Sequence, residues 1–299
     1  MSVQTHRLTV LLPVTRPPAF LPFAVESVLN QTHSDFELFI VSDGAPEATV
    51  AWAQSAERRD SRIRLFDFPK GARNGEAHRH TALAEATGTF VAQIGDDDLW
   101  FPDFLAEMAL HLRAVDFGNL LQCHIYPDGK IATIPGDLAL AATRERMLKT
   151  VWNFFGPTVT GYRMSAYRQL ADGWTPAPAD LPTDLHMWRK FLNDKRLRVG
   201  TRFAIQSIVF PTPLRTKLTE EKRVGENAAF AERIRDPGAR RDIAAEGFRA
   251  LFAATKAEVA ADASAHLMAM QSERNLLKTK LDLLETRQRR APGRFPLTR

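Results

Sequence analysis

The sequence is short of the features that define several protein classes. Its 299 residues include one cysteine, Cys123, so neither an internal disulfide nor a thiolate metal cage can form, which fits a reducing compartment. No apolar run reaches the roughly 18 residues that a membrane-spanning helix needs. The opening MSVQTHRLTV carries no secretory core, because the apolar stretch from Leu8 to Val14 is short and ends in Arg16-Pro17-Pro18. A cytoplasmic protein is expected. The segment PVTRPP after that stretch has no glycine, whereas a dinucleotide-binding fingerprint needs a glycine-rich turn there. With 44% hydrophobic and 25% charged residues, disordered, collagen-like and disulfide-scaffold classes are excluded.

What is present begins with an alternation of two periods. Leu8–Val14 reads as a buried strand, and Phe36–Val41, Ile63–Phe68 and Phe90–Ile94 read as a second, third and fourth strand. Between them, apolar residues recur at helical spacing from Phe20 to Leu29, from about Pro46 to Arg58, and from about Glu76 to Thr87. Gly88 then serves as a helix stop, and Pro102 opens the next helix. Strands alternating with helices at this spacing predict right-handed β-α-β units and a mostly parallel sheet. In such sheets ligands sit outside the carboxyl ends of the strands. The residues there are Thr15 and Arg16, then Ser42 and Asp43, then Asp96, Asp97 and Asp98.

Beyond Leu120 a hairpin around Pro127-Asp128-Gly129 is predicted. Further strands are expected at Thr158–Tyr162 and Phe203–Phe210, with helices near Leu138–Thr150 and Asp184–Asn193. From about Pro213 the pattern is helical and charged. In the last helix Leu267, Arg274 and Leu281 fall at heptad position a, and Met270, Leu277 and Leu284 at d. Glu273 and Lys280 at g then oppose Lys278 and Glu285 at e, the charge pattern of a parallel two-stranded coiled coil. A homodimer through this helix is one reading, and a surface helix with an apolar stripe is the other.

The formal net charge is +5, and residues 271–299 carry eight Lys or Arg against three Asp or Glu. The excess therefore sits in the tail, where Arg287, Arg289, Arg290, Arg294 and Arg299 invite peripheral contact with anionic lipid. The tail lacks interleaved aromatics and any nucleic-acid module, so no nucleic-acid partner is expected.

Three adjacent aspartates at a strand end repel one another unless a cation relieves them. Carboxylates without Cys or clustered His favour a hard ion, Mg²⁺ or Mn²⁺. A solvated turn with Asp98 capping the next helix is the plainer alternative.

The stretches LTVLLPVTRPPAFLPFAVESVLNQTHSDFELFIVSDGA and AHRHTALAEATGTFVAQIGDDDLWFPDFL resemble the nucleotide-binding half of family 2 glycosyltransferases of the GT-A fold. The resemblance rests on order and spacing: a strand holding Pro13, the ESVLNQT helix, an aspartate after the second strand and an acidic cluster after the fourth. It implies an α/β fold with a Rossmann-type sheet and a C-terminal helical extension. Residues 1–215 would form the transferase domain, divided into a nucleotide half (1–105) and an acceptor half (106–215). A helical extension (216–265), a short coiled coil (266–290) and a basic tail (291–299) would follow.

The activity implied is inverting transfer of a sugar from a nucleoside diphosphate sugar, a UDP-sugar favoured, to a hydroxyl of a glycan or lipid-linked acceptor, with divalent Mn²⁺ or Mg²⁺. Asp43 would bind the base of the donor, with Pro13 and Thr15 as the adjoining wall. Asp97 would be the main metal ligand, leaving the second metal or ribose contact to Asp96 or Asp98. Arg79 would contact the donor. Asp184, after the loop APADLPT, would be the catalytic base, with Asp180 as its rival. Trp174, His186 and Trp188 would stand on the acceptor side. The chain departs from the pattern at Gly95 (usually Asp), Ser42 (Asp), Arg16 (Asn), His80 (Asn), Ala82 (Gly) and Thr183 (acidic). Two rival readings are ranked below transfer. A nucleotidyltransferase would need a glycine-rich basic loop after the first strand, and a non-catalytic scaffold would have no use for intact Asp43, Asp96, Asp97 and Asp184.

Overall fold

The computed structural model describes residues 6–290, with side chains as far as residue 280. Two compact units divide it, one reaching to Leu251 and one beginning at Phe252. The boundary expected at residue 215 therefore falls inside the first unit.

In chain order the strands are β1 (Leu8–Val14), β2 (Phe36–Asp43), β3 (Ile63–Phe68), β4 (Phe90–Gln93), β5 (Leu99–Trp100), β6 (Phe117–Leu121), β7 (His124–Ile125), β8 (Ile131–Ala132), β9 (Thr160–Arg163), β10 (Val199–Ile205) and β11 (Ser207–Ile208). The helices are α1 (Leu21–Leu29), α2 (Glu47–Arg59), α3 (Glu76–Ala84), α4 (Phe104–Leu112), α5 (Ala141–Lys149), α6 (Met164–Gln169), α7 (Thr183–Asn193), α8 (Glu220–Arg233) and α9 (Pro237–Arg290). None of the described helices is long and apolar enough to cross a membrane.

Seven strands form the main sheet in the order β10-β6-β9-β4-β1-β2-β3. β1 pairs in parallel with β2 and β4, and β2 with β3. β10 pairs in parallel with β6, and β9 alone runs antiparallel, between β4 and β6, so the sheet is mostly parallel, as expected. β1 and β2 are buried almost throughout, because helices cover both faces. That double cover is why they read as near-continuous apolar runs rather than alternating ones.

A buried carboxylate locks the amino end of the sheet. Glu37 accepts from Thr9 Oγ1 (2.7 Å) and from Thr87 N (2.7 Å). Here the reading of Gly88 is corrected. α3 has already ended at Ala84, and Glu85 closes it. Glycine is required at 88 because a Cβ there would lie 2.4 Å from the Thr9 nitrogen.

The hairpin predicted around Gly129 is present, with β7 paired to β8. α8 and the start of α9 pack on a second apolar cluster, where Ile234 and Ile243 meet Leu99, Cys123, Ile205 and Ile208. Cys123 is buried there, its thiol pushed up to about 12 by burial and the nearby Glu246, as expected of an inert packing residue.

Candidate active site

The carboxyl ends of β1, β2 and β4 lie side by side, so Thr15, Asp43 and the Gly95–Asp98 loop share one edge of the sheet. α1 fixes that edge. Gln31, at its end, donates to the Phe101 carbonyl (2.8 Å) and accepts from Leu105 N (2.8 Å), tying it to the start of α4 and thus to the acidic loop.

Asp43 closes β2 and is buried. Its carboxylate accepts from Lys70 Nζ (2.6 Å) and from the Gly71 amide (2.6 Å). Pro13 pairs with Val41 inside the sheet, and Thr15 is exposed just beyond it.

The acidic loop divides its work. Asp96 and Asp97 converge on Arg16. The guanidinium donates from Nε to Asp96 Oδ2 (2.7 Å), from Nη2 to Asp96 Oδ1 (2.6 Å) and from Nη1 to Asp97 Oδ2 (3.1 Å). Two further residues reach Asp97: Arg223 of α8 at 3.4 Å and Thr212 Oγ1 at 3.1 Å. Asn227 of α8 donates to the Asp97 main-chain carbonyl (2.7 Å). Asp96 and Asp97 are thereby left 6% and 8% exposed.

Asp98, expected as a second metal ligand or ribose contact, turns away from Arg16. Its carboxylate accepts from Thr158 Oγ1 and from Phe210 N (3.0 Å), and burial with the neighbouring Asp97 charge pushes it up to about 7. It does not cap the helix at Pro102 either. The same packing accounts for Gly95, since a Cβ at that position would lie 2.9 Å from Asp98 Oδ2.

Arg79 of α3 is buried and stacks on Trp174 at 4.7 Å. Burial lowers its pKa, opposed by the charges of Glu76, Asp43 and Asp184 among others, and its guanidinium donates to the Asn74 carbonyl (2.5 Å). Asp184 lies in the first turn of α7, where Asn153 Nδ2 donates to it (2.9 Å). Burial raises its pKa above the ordinary value, against hydrogen bonds from the Leu185 amide and Asn153. Asp180 is exposed and belongs to the loop before α7.

Glu76, which sequence reading passed over, positions this helix. Wholly buried, it accepts from Thr183 Oγ1 (2.8 Å) and the Asn74 amide (2.9 Å). An acidic residue at 183 would face that carboxylate, which is the physical reason for threonine here. Thr183→Glu is expected to cost about 1–3 kcal/mol of stability by replacing a donor with a second acceptor. Urea unfolding measures this, and an unchanged midpoint would contradict it.

Of the residues expected on the acceptor side, Trp174 and Trp188 are 1% and 0% exposed and pack edge to face against each other at 5.7 Å. His186 lies two residues from Asp184, hence on another face of α7, with Nε2 3.4 Å from Thr175 Oγ1.

Among the described residues no group of three or more His, Cys, Asp or Glu side chains is arranged for a metal ion. A divalent ion of the Mg²⁺ type needs only one or two carboxylates, with water and phosphate completing its shell. The Asp96–Asp97 pair already closes on a positive group, the Arg16 guanidinium. The pair is thus already disposed around a positive charge.

A model of the family described as glycosyl transferase family 2 matches residues 9–171, more than half of the 299 residues. UDP-Glc:alpha-D-GlcNAc-diphosphoundecaprenol beta-1,3-glucosyltransferase of Escherichia coli is 31% identical over 102 residues, covering 33% of this chain and 38% of that protein. GalNAc(5)-diNAcBac-PP-undecaprenol beta-1,3-glucosyltransferase of Campylobacter jejuni is 27% identical over 92 residues, 31% of this chain and 30% of that one. This chain thus spans well under half the length of either relative. Two solved structures share the fold. Staphylococcus aureus TarS 1-349 in complex with UDP-GlcNAc has a TM-score of 0.52 at 17% identity, covering 68% of this chain and 58% of that one. The mannosyltransferase PcManGT from Pyrobaculum calidifontis, in complex with GDP-Man and Mn²⁺, has 0.51 at 19%, covering 92% and 81%. The family match, on a sheet of this topology with its acidic loop after β4, means that the chain belongs to glycosyl transferase family 2.

Proposed function

We propose that the protein transfers a sugar from a nucleoside diphosphate sugar to a hydroxyl group, with inversion at the anomeric carbon. The observation that carries this reading is the shared carboxyl edge of β1, β2 and β4, where Asp43 and the Arg16-paired Asp96 and Asp97 stand at neighbouring strand ends. Asp43 would hold the donor base beside Pro13 and Thr15, and Arg79 would meet the donor's charge. Asp97, helped by Asp96, would hold a divalent cation, which when bound supplies Lewis-acid stabilisation of the leaving diphosphate. Asp184 takes the proton of the acceptor hydroxyl as its oxygen bonds to the anomeric carbon. The bond from that carbon to the diphosphate breaks, and its electron pair leaves with the phosphate. The names of the two glucosyltransferase relatives support a UDP-sugar as donor and a lipid-linked glycan as acceptor.

A panel of UDP- and GDP-sugars with Mn²⁺ tests the reading. One donor should raise the melting temperature and be slowly hydrolysed without acceptor. A protein indifferent to the whole panel, yet making a sugar nucleotide from a nucleoside triphosphate and a sugar phosphate, would be a nucleotidyltransferase instead.

The helix beyond Phe252 supports a second proposal, a parallel coiled-coil homodimer. Leu267, Met270 and Leu277 are all more than half exposed on it, and long isolated helices gain most of their stability from burying an apolar face. The seam positions Leu281 and Leu284, the partner charge Glu285 and the basic residues Arg287, Arg289 and Arg290 lie beyond the described side chains, and Arg294 and Arg299 beyond the described residues. Deleting residues 266–299 should halve the mass measured by light scattering. An unchanged mass would reject the coiled coil.

A further inference from the structure

Arg16 stands where the family pattern has asparagine, and its side chain is the main counter-charge of the acidic loop. The main chain beneath it is fixed. Thr49 Oγ1 donates to the Arg16 carbonyl (2.8 Å), and Pro17-Pro18 follow at once. Any movement therefore falls to the side chain, which remains 31% exposed while Asp96 and Asp97 are almost covered. The guanidinium rests on the Phe20 ring at 5.6 Å, and Arg223 stacks on the same ring at 5.0 Å. Two guanidiniums thus face two carboxylates across one aromatic platform, and the local charge is balanced.

That balance decides what can enter. A divalent ion alone would leave two positive charges in excess within a few ångströms of two guanidiniums that cannot shed their protons. A divalent ion arriving with a diphosphate brings the compensating negative charge, and the phosphate oxygens offer Arg16 a bidentate acceptor in exchange for the carboxylates. We propose that Arg16 is an internal stand-in for the cation: it holds Asp96 and Asp97 in the donor-free protein and yields them only to a divalent ion that comes with a nucleoside diphosphate. Metal and donor then bind as one unit, each raising the affinity for the other by the same factor, as linkage requires. The inference rests on the proposed function, and it assigns Arg16 as a positioning residue that makes the acidic pair selective for the loaded donor.

The experiment is a Mn²⁺ titration of the full chain, read as loss of the free-ion electron paramagnetic resonance signal, with and without saturating UDP or GDP. In the wild type the nucleotide should tighten Mn²⁺ binding by on the order of tenfold or more. In Arg16→Gln, Mn²⁺ should bind without nucleotide about as tightly as it does to the nucleotide-loaded wild type, and the coupling should fall towards onefold. Equal nucleotide coupling in both proteins overturns the proposal, as does Mn²⁺ binding to the donor-free wild type as tightly as to the loaded one. The latter comparison needs no variant, so it decides even if Arg16→Gln does not fold. A wild type that binds neither UDP nor GDP under any condition would instead count against the proposed function, which keeps the two failures apart.

Discussion

Asp184→Asn is expected to lower turnover by about 10²–10⁴-fold, the usual contribution of a positioned general base, while leaving donor affinity nearly unchanged. The asparagine is almost isosteric, and its one amide oxygen keeps one of the two bonds that Asp184 accepts, from the Leu185 amide and from Asn153. Steady-state kinetics with a fixed acceptor measure this, and a loss confined to donor KM would contradict the assignment. The pH profile carries the same claim. Burial raises the pKa of Asp184 in the folded protein, and the base works only when deprotonated. Activity should therefore fall on the acid side through a pKa above the ordinary carboxylate value, and the variant should lose that limb. Stability runs the opposite way. A carboxylate with a raised folded pKa favours folding in its protonated form, and that contribution is lost as pH rises through the folded pKa. Asp184→Asn should accordingly melt above the wild type at neutral pH, an exchange of stability for function common at active sites.

Asp97→Ala should reduce transfer to a similar degree, by on the order of 10³-fold, because it removes the carboxylate assigned to the cation, whose contribution to the leaving group is several kcal/mol. The loop should survive the change. Asn227 holds the main-chain carbonyl of residue 97 rather than its side chain, and Asp98 remains anchored by Thr158 and Phe210. Circular dichroism of the variant should therefore match the wild type, and Mn²⁺ should no longer alter its donor affinity. Asp98→Asn offers the contrast. It should weaken the fold through its buried hydrogen bonds, so a variant that folds normally and yet loses Mn²⁺ dependence would return Asp98 to the metal site.

How far the sequence could be read follows from what each residue depends on. β1 and β3 match their predicted limits because short apolar runs that end at prolines, Pro17 and Pro69, carry their signal locally. The acidic loop and Asp43 were visible for the same reason, as polar residues interrupting apolar runs at strand ends. The contacts of Asp97 were not. Thr212, Arg223 and Asn227 lie 115, 126 and 130 residues away, the last two on a segment that reads only as charged and helical. Arg16 registered as a departure from asparagine, but its pairing with two aspartates 80 and 81 residues on is a product of strand order. Asp98 shows the reverse failure. Three adjacent aspartates look equivalent in sequence, and only the direction of each side chain separates the two that share Arg16 from the one that braces the loop. Trp174 and Trp188 suggested a sugar platform because indoles suit sugars, yet their size suits a core equally.

The central claim is that Asp43 and Asp97 serve one nucleotide-sugar site from two loops. Calorimetric titration of the nucleoside diphosphate into the wild type, Asp43→Asn and Asp97→Asn, each with and without Mn²⁺, tests it most directly. The account predicts that Asp43→Asn weakens binding whether or not Mn²⁺ is present, and that Asp97→Asn weakens only the Mn²⁺-dependent part. Nucleotide binding untouched by both substitutions would contradict it.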